Sequence, residues 1–325
     1  MLTHMRARVR PLLLCAIAGA GLTLAAAAQA QDLKIMAPAA PGGGWDQTAR
    51  AMQQALVQSG AAHSVQVYNV PGAGGTIGIA QFVNSAKGDP NQLMASGYVM
   101  VGAILTNNAP VTLDKVIPIA RLVQETDAIA VPTNSPLKTV KDLAELVKKD
   151  PARVTWAGGS AGGPDHIAAA LFTQKAGADP TKLNYIPFSG GGEALAAILG
   201  GKVTAGMSGL GELESQVKAG KLRLLAVTQS ERVPGLDVPT LKESGIDVEL
   251  ANWRAVMAPP GLTPEQVKGV SAIIEKMAKS QAWADILKQK GWDDAYLTGD
   301  AFAAYLKEEN ARTAEILKSV GLIKQ

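Results

Sequence analysis

Residues 65–70, V-Q-V-Y-N-V, alternate apolar and polar positions at period two, the pattern of a half-buried strand. Upstream, Trp45, Ala49, Met52 and Leu56 recur at spacings of four, three and four, which places them on one face of a helix that Gly60 ends. An apolar run at 33–37 precedes that helix. Further strands are predicted at 92–96, 117–123, 127–131, 154–157, 183–188, 203–207, 222–228 and 253–258. Thr139 with Asp142 three residues on reads as a capping box of the Asp type, and Thr263-Pro264 as a cap followed by proline at the first helical position. From Asp300 the chain reads as one amphipathic helix ending near Gly321. Strands alternating with helices predict an α/β fold with parallel sheets and helices on both faces.

Glycine punctuates this pattern at one kind of place. P-G-G-G-W-D (41–46), P-G-A-G-G-T (71–76), S-G-Y (96–98), G-G-S-A-G-G-P (158–164), S-G-G-G-E (189–193) and S-G (208–209) each follow a predicted strand, and at least four lead into a predicted helix. In parallel α/β folds such loops gather at the carboxyl ends of the strands. There, glycine lets the backbone approach a ligand, and free N–H groups at helix starts carry positive partial charge. Tight turning alone explains any single loop. Six on the same side of successive strands point to a shared anion site built without lysine.

Composition and charge narrow the classes. Arg6, Arg8 and Arg10, an apolar stretch, and Ala28-Gln29-Ala30 read as a leader removed before Gln31, with a membrane anchor or lipidation at Cys15 as weaker alternatives. Cys15, the only cysteine, leaves with it, excluding disulfides, thiol catalysis and cysteine-metal sites. The three arginines leave too, and 28 basic side chains then face 28 acidic ones. A near-neutral chain with no basic cluster interleaved with aromatics argues against nucleic acid. There is no G-x-x-x-x-G-K-[ST] loop, and Gly72-x-Gly74 does not extend to a dinucleotide fingerprint, because position 77 is Ile. Gly158-Gly159-Ser160-Ala161-Gly162 matches the nucleophile elbow, but no histidine follows His166, so the triad order fails. His63 and His166 are too few for a histidine metal site, and His166 reads as a surface or helix-end residue. No cofactor, metal or catalytic constellation is expected.

The segments A-P-A-A-P-G-G-G-W-D-Q-T-A-R (37–50), N-V-P-G-A-G-G-T-I-G (69–78), W-A-G-G-S-A-G-G-P-D-H (156–166), I-P-F-S-G-G-G-E-A-L-A-A-I-L-G-G-K-V (186–203) and W-R-A-V-M-A-P-P-G-L-T-P-E (253–265) resemble the solute-binding proteins of tripartite tricarboxylate transporters, the Bug or TctC family. The resemblance spans nearly the whole mature chain in the same order. V-P-G-A-G-G after a strand is its most specific element, and P-G-G-G-W-D is closer to the tricarboxylate-binding branch. It implies a periplasmic-binding-protein type II-like fold, two doubly wound α/β domains joined by two β crossovers near 128–132 and 248–252. The domains would be 31–129 plus 250–325 and 130–249, after a signal peptide at 1–30. It also implies a periplasmic monomer that captures a small carboxylate and delivers it to membrane permease subunits. Presentation of ligand to a sensor kinase, a periplasmic enzyme of the same bilobal shape, and a structural or adhesion role are the alternatives.

On the residues themselves, carboxylate oxygens would be held by backbone N–H groups, mainly at Gly43, Gly44 and Trp45 and at Gly74, Gly75 and Thr76. Gly191 contributes from a third helix start. Hydroxyls of Thr76, Ser96, Ser160, Ser189 and Ser208 would add hydrogen bonds. Trp45 and Tyr98 would wall the cleft, with Trp45 as core the competing reading. Asp46 stabilises the first helical turn and pairs with Arg50, or contacts a ligand hydroxyl or amine. Arg254 is a cationic candidate at the cleft mouth, or a solvated or hinge-pairing arginine. Helix-end roles suffice for Asp165 and Glu193.

Overall fold

The structure, a computed structural model, describes residues 31–324, so the leader expectation for 1–30 lies outside the described residues. β1 (Gln31–Ala37), β2 (Ala62–Asn69), β3 (Gln92–Gly97), β4 (Ile117–Pro132), β5 (Thr155–Gly158), β6 (Asn184–Pro187), β7 (Ala205–Gly209), β8 (Leu222–Val227), β9 (Ala251–Ala258) and β10 (Asp293–Thr298) form one ten-stranded system. Its order is β2-β1-β3-β9-β4-β7-β5-β6, with β10 and β8 also paired to β4.

β4 joins the halves. Up to Thr126 it pairs antiparallel with β9, and from Asp127 it pairs antiparallel with β7. The two strands expected at 117–123 and 127–131 are therefore one strand of 16 residues. The polar run Gln124 to Asp127 marks the hand-over between sheet halves rather than a loop. The chain returns through Thr228 and Leu250. The Thr228 amide bonds to the Asp127 carbonyl, and the Leu250 amide to the Thr228 carbonyl. The molecule is thus bilobal.

Parallel pairing holds on the outer strands, β1 with β2 and β3, and β5 with β6 and β7. It fails at the centre, where β9 runs antiparallel to β3 and β4 because the chain crosses between lobes and comes back.

The helices are α1 (Gly44–Gln58), α2 (Thr76–Ser85), α3 (Tyr98–Thr106), α4 (Val140–Lys149), α5 (Pro164–Lys175), α6 (Gly191–Leu199), α7 (Leu210–Lys218), α8 (Pro264–Ala278), α9 (Gln281–Lys290) and α10 (Gly299–Ser319). Trp45, Ala49, Met52 and Leu56 are all buried, as the spacing predicts. The Thr139 capping box forms with Asp142, and the Thr263 cap ahead of Pro264 forms as well, completed to a box by Gln266. Each large side chain sealed in the core contributes about 1.5–3 kcal/mol. Trp253 is one of these, packed edge-on to Phe302 and Tyr305 with its indole N–H on Glu309. No described helix is long and apolar enough to cross a membrane.

Candidate functional site

All six glycine loops end at the start of a helix: α1, α2 (through a short turn at Ala73–Gly75), α3, α5, α6 and α7. The loops before α1, α2, α5, α6 and α7 border one cavity of roughly 270 Å³ between the lobes, with Val99 of α3 and Asn107 just beyond its end also in the lining. This size suits a small organic acid.

The sequence of P-G-A-G-G now has a local cause. Gly72, Ala73, Gly74 and Gly75 have φ of 128°, 46°, 61° and 87°, four consecutive left-handed residues. Only glycine adopts that region freely, and Ala73 holds it at a conformational cost of order 1–3 kcal/mol. The other glycines are required by contact. A Cβ on Gly44 would sit 2.5 Å from Arg254 Nη2, and one on Gly191 would collide with the Glu212 carboxylate. The lobes also meet through glycine. A Cβ on Gly43 would lie 3.7 Å from the Cα of Gly190, and one on Gly102 would strike the carbonyl oxygen of Gly162.

Of the residues expected to bind, Gly43, Gly44, Trp45, Gly74, Gly75, Ser160, Ser189 and Gly191 border the cavity. Trp45 does so with its ring packed under Gly75, so it is both wall and core. The amides divide more sharply than expected. Gly43 donates to Ala40, Gly75 to Gly72, and Thr76 to Ala73, so these three are spent inside their own turns. The amides of Gly44 and Trp45 lie in the first turn of α1, where no intrahelical acceptor exists, and no backbone acceptor meets Gly74 among the described residues. They are the donors available to an anion, with the positive end of α1 behind them.

Five expected residues are placed elsewhere. Asp46 is 3% exposed and holds Gly42, Arg50 and Asn69, away from the cavity. Thr76 closes its own turn on the Ala73 carbonyl. Ser96 is sealed in β3 with its hydroxyl on Met100 Sδ. Tyr98 points into the core beside Trp253, because the first residue of α3 faces inward and Val99 takes the lining position. Ser208 donates to Glu212 at 2.7 Å and serves the cavity only through it.

The cavity is also lined by Arg254, the cationic candidate, by Asp165, expected only at a helix end, and by Glu212, Asn252 and Phe188, which the sequence does not single out. Arg254 is 3% exposed and pairs with Glu125 through Nη2, while Nη1 has no partner; burial lowers its pKa to about 9. It is the hinge-pairing arginine of the alternatives, and it lines the cavity as well. Burial pushes Glu212 up to about 7 and Asp165 up to about 6, the latter against the pull of the Gly159 amide. Burial and the charges of Asp165 and Glu212 hold Asp127, at the crossing, well above the usual carboxylate range. Polar residues inside strands or in first helical turns look solvated in a sequence, and nothing there reveals that four elements converge on them.

His166 accepts the Gly162 amide on Nδ1 at 3.1 Å and stacks on Tyr185, and burial lowers its pKa to about 4. With Nδ1 as acceptor it is the neutral Nε2–H tautomer, a helix-end residue rather than a base for Ser160. No metal-ligating cluster of three side chains occurs among the described residues.

Residues 47–322 match the family model described as tripartite tricarboxylate transporter family receptor. The chain is 30% identical over 315 residues to protein BugT of Bordetella pertussis, covering 94% of this chain and 95% of that one. Its fold resembles the solved structure of the periplasmic binding protein BugD, at 26% identity and TM-score 0.82, covering 91% of this chain and 99% of that one. It also resembles a TctC solute-binding protein from Polaromonas solved without ligand, at 30% identity and TM-score 0.64, covering 89% and 98%. The chain therefore belongs to the tripartite tricarboxylate transporter receptor family, whose members are periplasmic solute-binding proteins.

Proposed function

We propose that this protein captures a small carboxylate between its lobes and delivers it to the membrane permease of a tripartite tricarboxylate transporter, without chemical turnover. The observation that carries this reading is the convergence of glycine-rich helix starts on one enclosed cavity, with the amides of Gly44, Trp45 and Gly74 left without acceptors of their own. Such amides, backed by a helix dipole, bind carboxylate oxygens and discriminate little between acids. The lobes are residues 31–129 plus 250–325 and residues 130–249, each supplying part of the site, so ligand favours the closed form in which both parts meet. The mature protein begins at Gln31, after the small-x-small site Ala28-Gln29-Ala30, and acts as a periplasmic monomer.

The test is a thermal-shift and calorimetry screen of mature protein against di-, tri- and aromatic carboxylates. A true ligand at 100 times its Kd stabilises the fold by about 2.7 kcal/mol. The same acids recovered unchanged after incubation support binding alone. No stabilisation by any carboxylate contradicts the reading.

A further inference from the structure

Asp127, Asp165 and Glu212 come from three elements and meet where the lobes join. Asp127 is the residue at which β4 passes from β9 to β7. Asp165 lies in the first turn of α5 and Glu212 in the first turn of α7, and both line the cavity. Asp127 is fully buried, and neither of its carboxyl oxygens has a hydrogen-bond partner among the described residues. A buried carboxylate without a donor is too costly to stay ionised, so Asp127 is held neutral. Glu212 accepts the Ser208 hydroxyl on Oε2 at 2.7 Å, and Asp165 accepts the Gly159 amide on Oδ2.

The neighbouring cations are committed elsewhere. Arg254, on β9, pairs with Glu125 of β4 through Nη2. The Lys290 ammonium, at the end of α9, lies 5.1 Å from the centre of the Trp292 ring and reaches Gln47 Oε1 at 3.4 Å. Tyr185, on β6, donates its hydroxyl to the Gly159 carbonyl, and His166 is neutral. From α6 it is the backbone at Gly191 that lies against the Glu212 carboxyl.

We propose that this cluster is a proton site coupled to the cleft: closure on a carboxylate anion moves one proton from solvent onto Glu212, and loss of that proton loosens the anion. This rests on the reading of the cleft as a carboxylate site and adds a second cargo to it.

The coupling follows from the enclosed geometry. The charge of the ligand enters a cavity of roughly 270 Å³ that Glu212 and Asp165 share. A like charge at about 4–6 Å disfavours an ionised carboxyl by about ten- to a thousandfold. Burial alone already brings Glu212 to about 7 and Asp165 to about 6, so Glu212 is the first to be carried across neutral pH by a ligand. A protonated Glu212 keeps Ser208 on Oε2 and carries O–H on Oε1, a donor where an acceptor stood. Linkage is reciprocal: the ligand strengthens proton binding by the same factor as the proton strengthens ligand binding. Affinity therefore falls as pH rises above neutral.

The test is calorimetry of the mature protein with succinate and malate, both fully ionised at pH 7.5 and above. Each titration is run in HEPES and in Tris, whose different ionisation enthalpies make the heat report the protons exchanged. The expected result is uptake of about 0.5–1 proton per ligand at pH 8, and affinity that falls about threefold or more from pH 7.5 to 8.5. Glu212→Gln is expected to lose about half or more of the uptake and to flatten the pH dependence, with circular dichroism unchanged. Ser208→Ala keeps the acid but removes a bond that favours its ionised form, so the fall in affinity moves to higher pH. No net proton exchange in the mature protein, uptake unaltered in Glu212→Gln, or a pH dependence unmoved in Ser208→Ala overturns the proton site but not the carboxylate site. Binding by neither acid overturns both.

Discussion

The Asp46 carboxylate accepts the backbone amide of Gly42 at 2.9 Å, reaching back over the turn that precedes its own helix. The same device recurs around the cavity. Asp165 takes the Gly159 amide, His166 the Gly162 amide at 3.1 Å, and Glu193 the Ser189 amide at 3.1 Å. Acids beside an anion site look contradictory in a sequence. In the fold they fix loop amides in place, Asp46 and Glu193 from outside the cavity lining and Asp165 from within it, and a loop held in this way binds more tightly because less has to be ordered on binding.

Asp46→Ala strands Gly42 and Asn69 together, and the expected loss of stability in urea unfolding is about 1–3 kcal/mol. Burial opposes ionisation of Asp46, but the bonds from Arg50, Gly42 and Asn69 outweigh it and hold its carboxyl below the usual range. A depressed folded pKa means this stabilisation is present above the unfolded value near 4 and is lost as pH falls through the folded one. Asp46→Asn is expected to lose that acid-side dependence, and an unchanged pH profile contradicts the assignment.

Gly102→Ala tests closure. Alanine suits the interior of α3 better than glycine does by about 1 kcal/mol, yet its Cβ would collide with the carbonyl of Gly162 on the other lobe. The expected outcome is an intact fold by circular dichroism, a larger radius of gyration by small-angle scattering, and at least tenfold weaker ligand binding. Unchanged affinity would mean that this contact does not belong to the bound state.

Gly75→Ala is expected to damage the loop itself. Gly75 has φ 87°, and an added Cβ would lie 2.7 Å from the Trp45 ring and 2.8 Å from Met100 Cε. Left-handed strain plus overpacking is expected to cost about 2–4 kcal/mol, read as a lower urea midpoint. A bulky residue here therefore probes folding and binding together.

The empty protein is expected to lose stability as pH rises. Glu212 has an ordinary value of 4.5 and about 7 when folded. Asp165, Asp127 and Ser208 face or approach it, with Arg254 lining the same cavity. Its folded pKa is raised, so the folded state holds more protons across that window and stability falls between them as pH increases. Glu212→Gln is expected to gain on the order of 1–3 kcal/mol at pH 8 and nothing at pH 4. A neutral or destabilising effect at pH 8 contradicts the burial of this acid.

Local order was legible where one physical rule acted alone. The face formed by Trp45, Ala49, Met52 and Leu56, and the Thr139 and Thr263 caps, need only helical spacing and short-range hydrogen bonds. The loops were legible as a set, because each breaks a strand-to-helix passage with glycine. What escaped depends on distant partners. Residues 124–126 read as a break in β4 because nothing local shows that Arg254 lies against Glu125, or that β9 pairs on through Thr126 before β7 takes over at Asp127. Trp292, β10 and α9 escaped because their pattern is short and edge-like, although the strand is held by Arg121 donating to the Ala295 carbonyl at 2.8 Å. Tyr98 and Ser96 were misplaced because alternation cannot say which side of a fully buried strand end faces a cleft.

The most direct measurement is a crystal structure of the mature protein with the tightest-binding carboxylate. The expected result is one carboxylate group within about 2.7–3.2 Å of the backbone nitrogens of Gly44, Trp45 and Gly74, with no lysine in contact. A ligand held by side-chain cations alone, or seated outside the space between the lobes, would contradict the central claim that main-chain amides do the gripping.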